Sequence, residues 1–571
     1  MSGQAPSRIW RLSDYDGEAV ARLACALNLM PWQAHLLIQR GITSDEQARD
    51  FLDPKLSALS PPLGMHHIDR AAEIIFNSLK NQEIIGIAGD YDTDGITATA
   101  LLVEFLGQVG ARVLWYLPHR LEDGYGFSVA AARYFYEQKA KLIITVDCGM
   151  SDHQGVEEGK RLGMKVIVTD HHQIPPGPLV PADAVVNPHQ EQCAFTPNLT
   201  GVGLAFYLAA TLRARLQRDG HFKNNVPNLR QTLDLVALGT CADVVPLVGE
   251  NRILVNEGLK VINSAPRLGI KELGLISRAA YAKNGPFDAR DLSFSLIPRL
   301  NAAGRMDHPE IALKLLLSKD EEQARPLARE LDQLNQERRK MEDEILSQAT
   351  QMWRNTSGRC LVLAGQGWHR GVLGIVANRL VDLSGKPCLL LALDDSALAV
   401  GSGRSVKGID LQQALVSQAH LLERYGGHSM AVGLSLNKSK IAQLRQGLDT
   451  YLQDQPHVPR VLNLDAEVEI SQLNGRTIPY LDSLAPFGAG NPEPCLLLRR
   501  VEMQPTGTVS RHLRLNLRQG GKSLNAIAFG AAQRPAPVRD RLYDVACWLR
   551  VSSYMGRNLE LVVEDWRLTE G

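Results

Sequence analysis

Three aspartates stand two residues apart in Gly89-Asp90-Tyr91-Asp92-Thr93-Asp94-Gly95, directly after the apolar run Ile84-Ile85-Gly86-Ile87-Ala88. Carboxylates this close repel one another unless cations neutralise them. Hard oxygen donors suit magnesium or manganese, so the stretch reads as the seed of a divalent-metal site. The same spacing opens an EF-hand loop, but that loop needs a Glu at its twelfth position. Leu101 stands there, and the preceding residues read as strand rather than helix. The DxDx(T/V) pattern of aspartate-nucleophile phosphatases fails at its last slot, which holds Asp94. A polar turn holding no ion is the remaining plain reading.

More carboxylates and imidazoles recur in the same kind of place. Asp147 ends the apolar run 142–146, Asp170-His171-His172 follows 166–169, and Asp243 follows the apolar segment 233–240. A single Asp after a strand is more often a helix N-cap than a ligand. Four such segments together point instead to a dinuclear metal site.

The elements that would position these residues follow from hydrophobic patterning. Between about 71 and 250, strands at 84–88, 112–116, 142–146, 166–168 and 184–186 alternate with helical stretches such as 71–80 and 97–109. Such alternation implies a parallel sheet with helices on both faces, and ligands of such sheets bind beyond the carboxyl ends of the strands. Residues 1–70 read as a helical cap on that domain, 71–325. An amphipathic helix over 326–355, with Leu327, Leu331, Leu334, Met341 and Ile345 interrupted by Arg338, reads as a connector. Pro326 fits its first turn. A second α/β unit occupies 356–460, with a strand at 360–364 and glycine-rich turns at 401–405 and 426–428. In 461–571, Leu513, Leu515 and Leu517 alternate with Arg514, Asn516 and Arg518, and Val545, Cys547, Leu549 and Val551 alternate likewise. Half-buried strands of this kind, with a turn near Gly556, predict a small β-barrel.

Composition limits the alternatives. The 571 residues suffice for about three or four domains. Basic and acidic residues both number 62, so any nucleic-acid partner would need a local basic groove. The eight cysteines are scattered with no CxxC pair. That disfavours structural zinc or a disulfide framework and suits a cytoplasmic protein. There is no signal-peptide pattern and no apolar run long enough to cross a bilayer.

Taken together, the aspartate triplet, Thr145-Val146-Asp147-Cys148-Gly149, Asp170-His171-His172 and Gly239-Thr240-Cys241-Ala242-Asp243 resemble the ordered motifs of the DHH phosphoesterase superfamily. Further stretches bring the chain nearest to that superfamily's bacterial single-strand-specific exonucleases, a resemblance running from about residue 20 to the C-terminus. They are Arg120-Leu121-Glu122-Asp123-Gly124-Tyr125-Gly126, Pro298-Arg299-Leu300-Asn301-Ala302-Ala303-Gly304-Arg305-Met306, Trp368-His369-Arg370-Gly371-Val372-Leu373-Gly374-Ile375-Val376, Gly401-Ser402-Gly403-Arg404-Ser405 and Gly426-Gly427-His428.

The resemblance implies a DHH domain, a connecting helix, a DHHA1 domain and a C-terminal OB-fold. It implies that Asp90, Asp92, Asp94, Asp147, His171 and Asp243 hold two ions, manganese or magnesium, with Asp147 bridging and Asp90 either ligating directly or supporting a ligand. His172 would stabilise charge on the scissile phosphate, and Asp170 would orient one of the two imidazoles. Ser402 and Arg404 would receive a terminal 5′-phosphate, with Arg120, Arg305 and His428 as further substrate contacts. Arg511, His512, Arg514 and Tyr554 are candidate strand contacts on the barrel. Paired divalent ions make water nucleophilic at neutral pH, so no protein nucleophile is required. The implied activity is 5′→3′ hydrolysis of single-stranded DNA to 5′-mononucleotides, in a cleft too narrow for duplex. The implied partners are a single-strand-binding protein and a RecQ-type helicase, and the implied state is a monomer. Two alternatives share the motifs: a DHH oligonucleotide or dinucleotide phosphodiesterase or phosphatase, and a catalytically silent DNA-binding scaffold. The complete aspartate and histidine set argues against the second.

Overall fold

The structure is a computed structural model of the chain. It describes residues 8–569 except 121–122, 195–197, 223–225, 282–284, 355, 357, 454, 456–459 and 553–557. The chain forms two compact units, one holding Ala302–His308 and Glu330–Val461, the other holding Trp10–Asn301, Pro309–Arg329 and Leu462–Gly571.

In the larger unit, five parallel strands lie in the order Arg112–Tyr116, Ile84–Ala88, Ala140–Val146, Lys165–Thr169, Ala184–Val186. The central strands are almost unbroken apolar runs because helices cover both faces. Ile85, Ile87, Ile143 and Ile144 are fully buried, each contributing roughly 1.5–3 kcal/mol. The chain leaves Ile84–Ala88 toward one edge and Ala140–Val146 toward the other. Their carboxyl ends therefore flank the point where the connections diverge, where such sheets open a crevice. Helix Thr93–Gln108 is buried along its first ten residues and packs against Gly201–Arg218 and Leu233–Ala242.

The C-terminal part of this unit is a closed barrel. Cys495–Val509 pairs with both His512–Gln519 and Leu542–Ser552, and Lys522–Ala528 pairs in parallel with Asn558–Leu568. Leu513, Leu515 and Leu517 point inward while Arg514 and Arg518 are exposed. Gly556 lies outside the described residues.

The N-terminal helices do not simply cap the parallel-sheet domain. Val20, Leu23, Trp32, Leu36 and Leu37 share one core with Tyr480, Leu484, Leu496 and Leu515 of the barrel region, and Tyr480 Oη donates to the Gln33 carbonyl at 2.6 Å. Short apolar helices far upstream in sequence find their partners by burial, a pairing that local patterning does not encode.

In the smaller unit, Leu361–Gln366 and Cys388–Leu393 run parallel, and Leu398–Arg404, Ala431–Asn437 and Leu422–His428 add antiparallel strands. The glycine-rich stretches expected as turns are therefore strand. Gly401 and Gly403 face inward, where a side chain would run into Leu391 and Leu389, so these glycines serve close sheet packing.

The long helix runs Glu321–Arg354, 34 residues, with Pro326 inside it rather than in its first turn. The helix begins earlier because Asp320 accepts from the Gln323 amide. Proline near the N-terminal end then costs one hydrogen bond without breaking the helix. Arg338 does not interrupt its buried stripe. It lies in it, paired to Glu342 at 2.8 Å and to Asn335 at 2.8 Å.

Candidate metal centre

The backbone at the carboxyl edge of the parallel sheet is fixed one residue past each strand. The amides of Gly89, Asp147 and Asp170 donate to the carbonyls of Tyr116, Thr169 and Val186, at 3.1 Å each. Asp147 then turns with φ +61°, a conformation rare for any residue but glycine and common at functional sites.

Asp92 caps helix Thr93–Gln108, its Oδ1 accepting from the amides of Asp94 and Gly95 at 2.9 and 3.3 Å. The N-cap reading thus holds for Asp92, and its second oxygen remains available to a cation. Asp94, on the first turn, accepts from the amides of Gly201 and Val202 at 2.7 and 2.9 Å. Those amides open helix Gly201–Arg218, whose dipole favours an anion there. Asp243 ends a helix, Leu233–Ala242, so the apolar segment before it is helical. A carboxylate at a helix C-terminus is opposed by the dipole, a placement that a bound cation would relieve.

His171 Nε2 lies 3.1 Å from Asp147 Oδ1, 3.7 Å from Asp243 Oδ2 and 3.8 Å from Asp94 Oδ2. Donor atoms of Asp90, Asp92 and Asp147 come within 4.8 Å of one another, as do those of Asp94, His171 and Asp243, and those of Asp147, His171 and His172. Asp147 and His171 each belong to two of these groups. Asp90 Oδ1, Asp147 Oδ1 and His171 Nε2 are buried and have no hydrogen-bond partner among the described residues. Buried polar atoms left this way are costly, and a ligated cation would satisfy them.

The electrostatics agree. Burial, then the charge of Asp92, pushes Asp90 well above the usual carboxylate range. Burial, then Asp243, does the same to Asp94, and burial, then Asp94, to Asp147. Burial and Asp92 raise Asp243 to about 6. Burial, with the neighbouring His172, lowers His171 to about 4, so its imidazole is neutral and able to ligate. An oxygen-rich set with one neutral imidazole fits manganese or magnesium.

Asp170 settles which imidazole it orients. Its Oδ1 meets His172 Nδ1 at 2.7 Å, and Oδ2 accepts from the Met150 amide at 3.0 Å. Burial alone would lower His172, but the Asp170 contact outweighs it and raises His172 to about 9. Burial likewise opposes Asp170, whose pKa is nevertheless held below the usual value by His172. Tyr125 Oη lies 3.2 Å from His172 Nδ1 and donates to the Asp147 carbonyl at 3.2 Å.

Other candidates fall in several places. The Arg120 guanidinium lies 4.9 Å over the Tyr91 ring, and its charge reaches Asp90. In the smaller unit, Arg404 Nη1 donates to Ser402 Oγ at 3.1 Å and to the Gly403 carbonyl at 2.8 Å. A side chain on Gly374 would sit 2.8 Å from Arg404 Nη2 and 3.1 Å from Ser402 Oγ. Arg305 Nη1 donates to the Gly371 carbonyl at 3.0 Å, and His428 is exposed. On the barrel, Arg511 and Arg514 are exposed, and His512 accepts from the Gly530 amide at 3.0 Å. Tyr554, Leu121 and Glu122 lie outside the described residues.

The sequence reading missed Gly201, Val202 and Met150, whose backbone amides hold carboxylates, because amide donors leave no side-chain signature. Tyr125 and Asn301 were visible only as motif members. Asn301 Oδ1 accepts from Thr93 N and Oγ1, both at 2.8 Å, and steadies the aspartate turn.

Comparison with known proteins agrees with this geometry. Residues 84–240 match the DHH family N-terminal domain, 357–454 the DHHA1 domain and 464–565 the RecJ OB domain. The single-stranded-DNA-specific exonuclease RecJ of Haemophilus influenzae is 37% identical over 536 residues, spanning 90% of this chain and 92% of that protein. The Escherichia coli protein of the same name is 35% identical over 94% of this chain and 96% of its own. A crystal structure of RecJ from Thermus thermophilus in complex with Mn2+ superposes with TM-score 0.84 at 30% identity, over 100% of this chain and 81% of that one. A second, exonuclease RecJ bound to manganese, gives 0.59 at 34% identity over 69% and 96%. Aspartates gathered from separate segments around unsatisfied donor atoms, on this arrangement of DHH, DHHA1 and OB domains, place the chain in the RecJ family.

Proposed function

We propose that this chain is a single-stranded-DNA-specific exonuclease that hydrolyses phosphodiester bonds from the 5′ end and releases 5′-mononucleotides. The observation that carries the reading is the convergence of Asp90, Asp92, Asp94, Asp147, His171 and Asp243 on one sheet edge, with Asp90 Oδ1, Asp147 Oδ1 and His171 Nε2 unpartnered among the described residues. These residues would hold two divalent cations, manganese or magnesium, with Asp147 shared. Bound there, the cations supply an activated water and offset charge on the phosphate.

The chain's own groups do the rest. Asp170 keeps His172 charged up to about 9, so that its other ring nitrogen can donate to a phosphate oxygen. Tyr125 limits the swing of that ring. The Ser402–Arg404 pair beside Gly374 would receive the terminal 5′-phosphate. Arg120, Arg305 and His428 are further substrate contacts in this reading. The barrel, with Arg511, His512 and Arg514, would follow the strand.

Partnership with a single-strand-binding protein and a RecQ-type helicase, work in recombination and repair, a monomeric state and a cytoplasmic location rest on family resemblance. Among the described residues no helix is long and apolar enough to cross a membrane.

Digestion of end-labelled single strands, duplexes and dinucleotides in manganese or magnesium tests the reading. Stepwise loss of nucleotides from the 5′ end of long single strands is expected. Preference for dinucleotides would instead favour a small DHH phosphodiesterase.

A further inference from the structure

Asp243 is held by fewer contacts than Asp92, Asp94 and Asp170. Asp94 and Asp170 each have both oxygens on hydrogen-bond donors, and Asp92 has Oδ1 on two amides. No donor among the described residues reaches the Asp243 carboxylate in hydrogen-bond geometry, and His171 Nε2 stands 3.7 Å away. Its position must come from the backbone on either side.

Upstream is the helix it ends. Downstream, Val244 has φ +57° and is 70% exposed, a β-branched residue in a conformation that such residues adopt only under constraint. The constraint is visible over the residues that follow. The amide of buried Leu247 donates to the Ala489 carbonyl at 2.7 Å. Asn251 Nδ2 bonds the Asn198 and Pro246 carbonyls at 2.6 and 3.1 Å. Arg252 is 2% exposed. Its guanidinium donates to the carbonyls of Phe51, Ser483 and Leu484 at 2.8–3.1 Å and stacks on the Phe51 ring at 3.8 Å.

The far side of this clasp is also built. Asn491 Nδ2 bonds the Leu484 and Pro486 carbonyls at 2.8 Å each, and Arg40 Nε donates to Asn491 Oδ1 at 2.7 Å. Residues 483–492 lead directly into the first long barrel strand.

We infer that Arg252 and the 483–492 segment are positioning elements for Asp243, so that the barrel domain sets the placement of one metal ligand as well as any grip on the strand. The strap from Asp243 to Arg252 is tied at Leu247 and Arg252 to that segment and is strained at Val244 between the tie and the ligand. Loosening the tie frees Asp243 while leaving Asp90, Asp92 and Asp147, which are held by the parallel sheet, in place. The inference rests on the dinuclear reading of the centre.

Calorimetric titration of the full chain with Mn2+, alongside kcat and KM on a long single strand, tests it in Arg252→Met and Gly490→Ala. Gly490 has φ +69°, and a side chain there would meet Pro246 Cβ at 2.8 Å, so the second variant disturbs the strap from the opposite side and decides the matter if Arg252→Met does not fold. The expected result is one Mn2+ site weakened about tenfold, the magnitude typical of lost outer-shell support, with the other site unchanged. kcat should fall at limiting Mn2+ and recover at high Mn2+, with KM unmoved. Two wild-type sites with a raised KM would overturn the inference, as would loss of both sites together. A wild-type chain that takes up fewer than two Mn2+ would overturn the dinuclear reading itself, and the inference with it.

Discussion

The carboxylate of Asp170 and the ring of His172 meet at 2.7 Å, Oδ1 to Nδ1, and each shifts the other. The shifts run in opposite senses, His172 up to about 9 and Asp170 below its ordinary value. This is the behaviour of a charged pair in which a buried carboxylate holds a half-exposed imidazole. Adjacent His171, by contrast, is driven down to about 4 by burial and by its neighbour. Two consecutive histidines thus carry different protonation states, one suited to a cation and one to an anion.

Asp170→Asn should separate these tasks. Without the carboxylate, His172 loses the interaction that keeps it charged, and the alkaline limb of the kcat profile should move to lower pH. The rate at pH 8 should fall by roughly 10²–10³-fold, the usual cost of removing an electrostatic stabiliser. Mn2+ binding should persist, because Asp170 is not among the proposed ligands. A pH–rate profile superposable on wild type would show that His172 does not act as a charged group.

The metal should stabilise the protein in a pH-dependent way. Asp90, Asp94, Asp147 and Asp243 all have folded-state pKa values raised by burial first. A raised carboxylate contributes stability that is complete below its unfolded value near 4 and lost as pH rises through the folded value. For Asp243 the loss runs from about 4, its unfolded value, up to about 6. The metal-free chain should therefore melt at progressively lower temperature as pH rises above about 4, and divalent ions, which bind the ionised forms, should restore what is lost. At a hundredfold excess over Kd the gain is about 2.7 kcal/mol. Thermal melts at pH 5, 6.5 and 8 with and without Mn2+ check this. A metal-induced shift that does not grow with pH would contradict it.

Gly201 makes a prediction that side-chain chemistry alone would miss. Its amide donates to Asp94, and a Cβ at this position would lie 2.5 Å from Asp147 Cβ. Gly201→Ala should push Asp147 off its place at the sheet edge without unfolding the domain. Displacement of a reacting group by about 1 Å costs on the order of 10²-fold in rate. A variant of normal melting temperature and about a hundredth of the activity is expected. Wild-type turnover would mean that Asp147 tolerates movement and so does not share two cations.

Much of the candidate site was legible because groups able to ligate a metal are particular side chains, and most of these follow the ends of particular strands. The runs 84–88 and 112–116 coincide with strands, and Asp90, Asp147 and Asp170 follow strand ends as read. Asp243 was named from its motif, but the apolar segment before it carried no element type, since Leu233–Ala242 is so uniformly buried that its helical period is masked. The strand character of Gly401–Arg404 was hidden for the opposite reason. Glycine reads as turn locally, and only the packing of Leu389 and Leu391 shows why a strand needs it there. The union of residues 20–52 with the barrel core is a long-range burial effect, and no window of sequence contains it.

Arg404 supplies a prediction about substrate ends. Its guanidinium donates to Ser402 Oγ at 3.1 Å and to the Gly403 carbonyl at 2.8 Å, and it packs so close to Gly374 that a side chain there would sit 2.8 Å from Arg404 Nη2. Ser402 and Arg404 lie on the same face of their strand, two residues apart, while Gly401 and Gly403 pack inward. A guanidinium and a hydroxyl on one face would suit a phosphate dianion in the proposed reading. Arg404→Ala should lower the rate on 5′-phosphorylated strands toward that on 5′-hydroxyl strands. The loss should be about 10- to 100-fold, as expected for charge-assisted hydrogen bonds worth roughly 1.5–3 kcal/mol. Mn2+ affinity should not change, since none of the proposed ligands lies in this strand. Arg404→Lys should recover only part of the preference, because an ammonium lacks the two-pronged donor geometry. Should the alanine variant keep the wild-type ratio of rates on the two kinds of end, the phosphate receptor lies elsewhere.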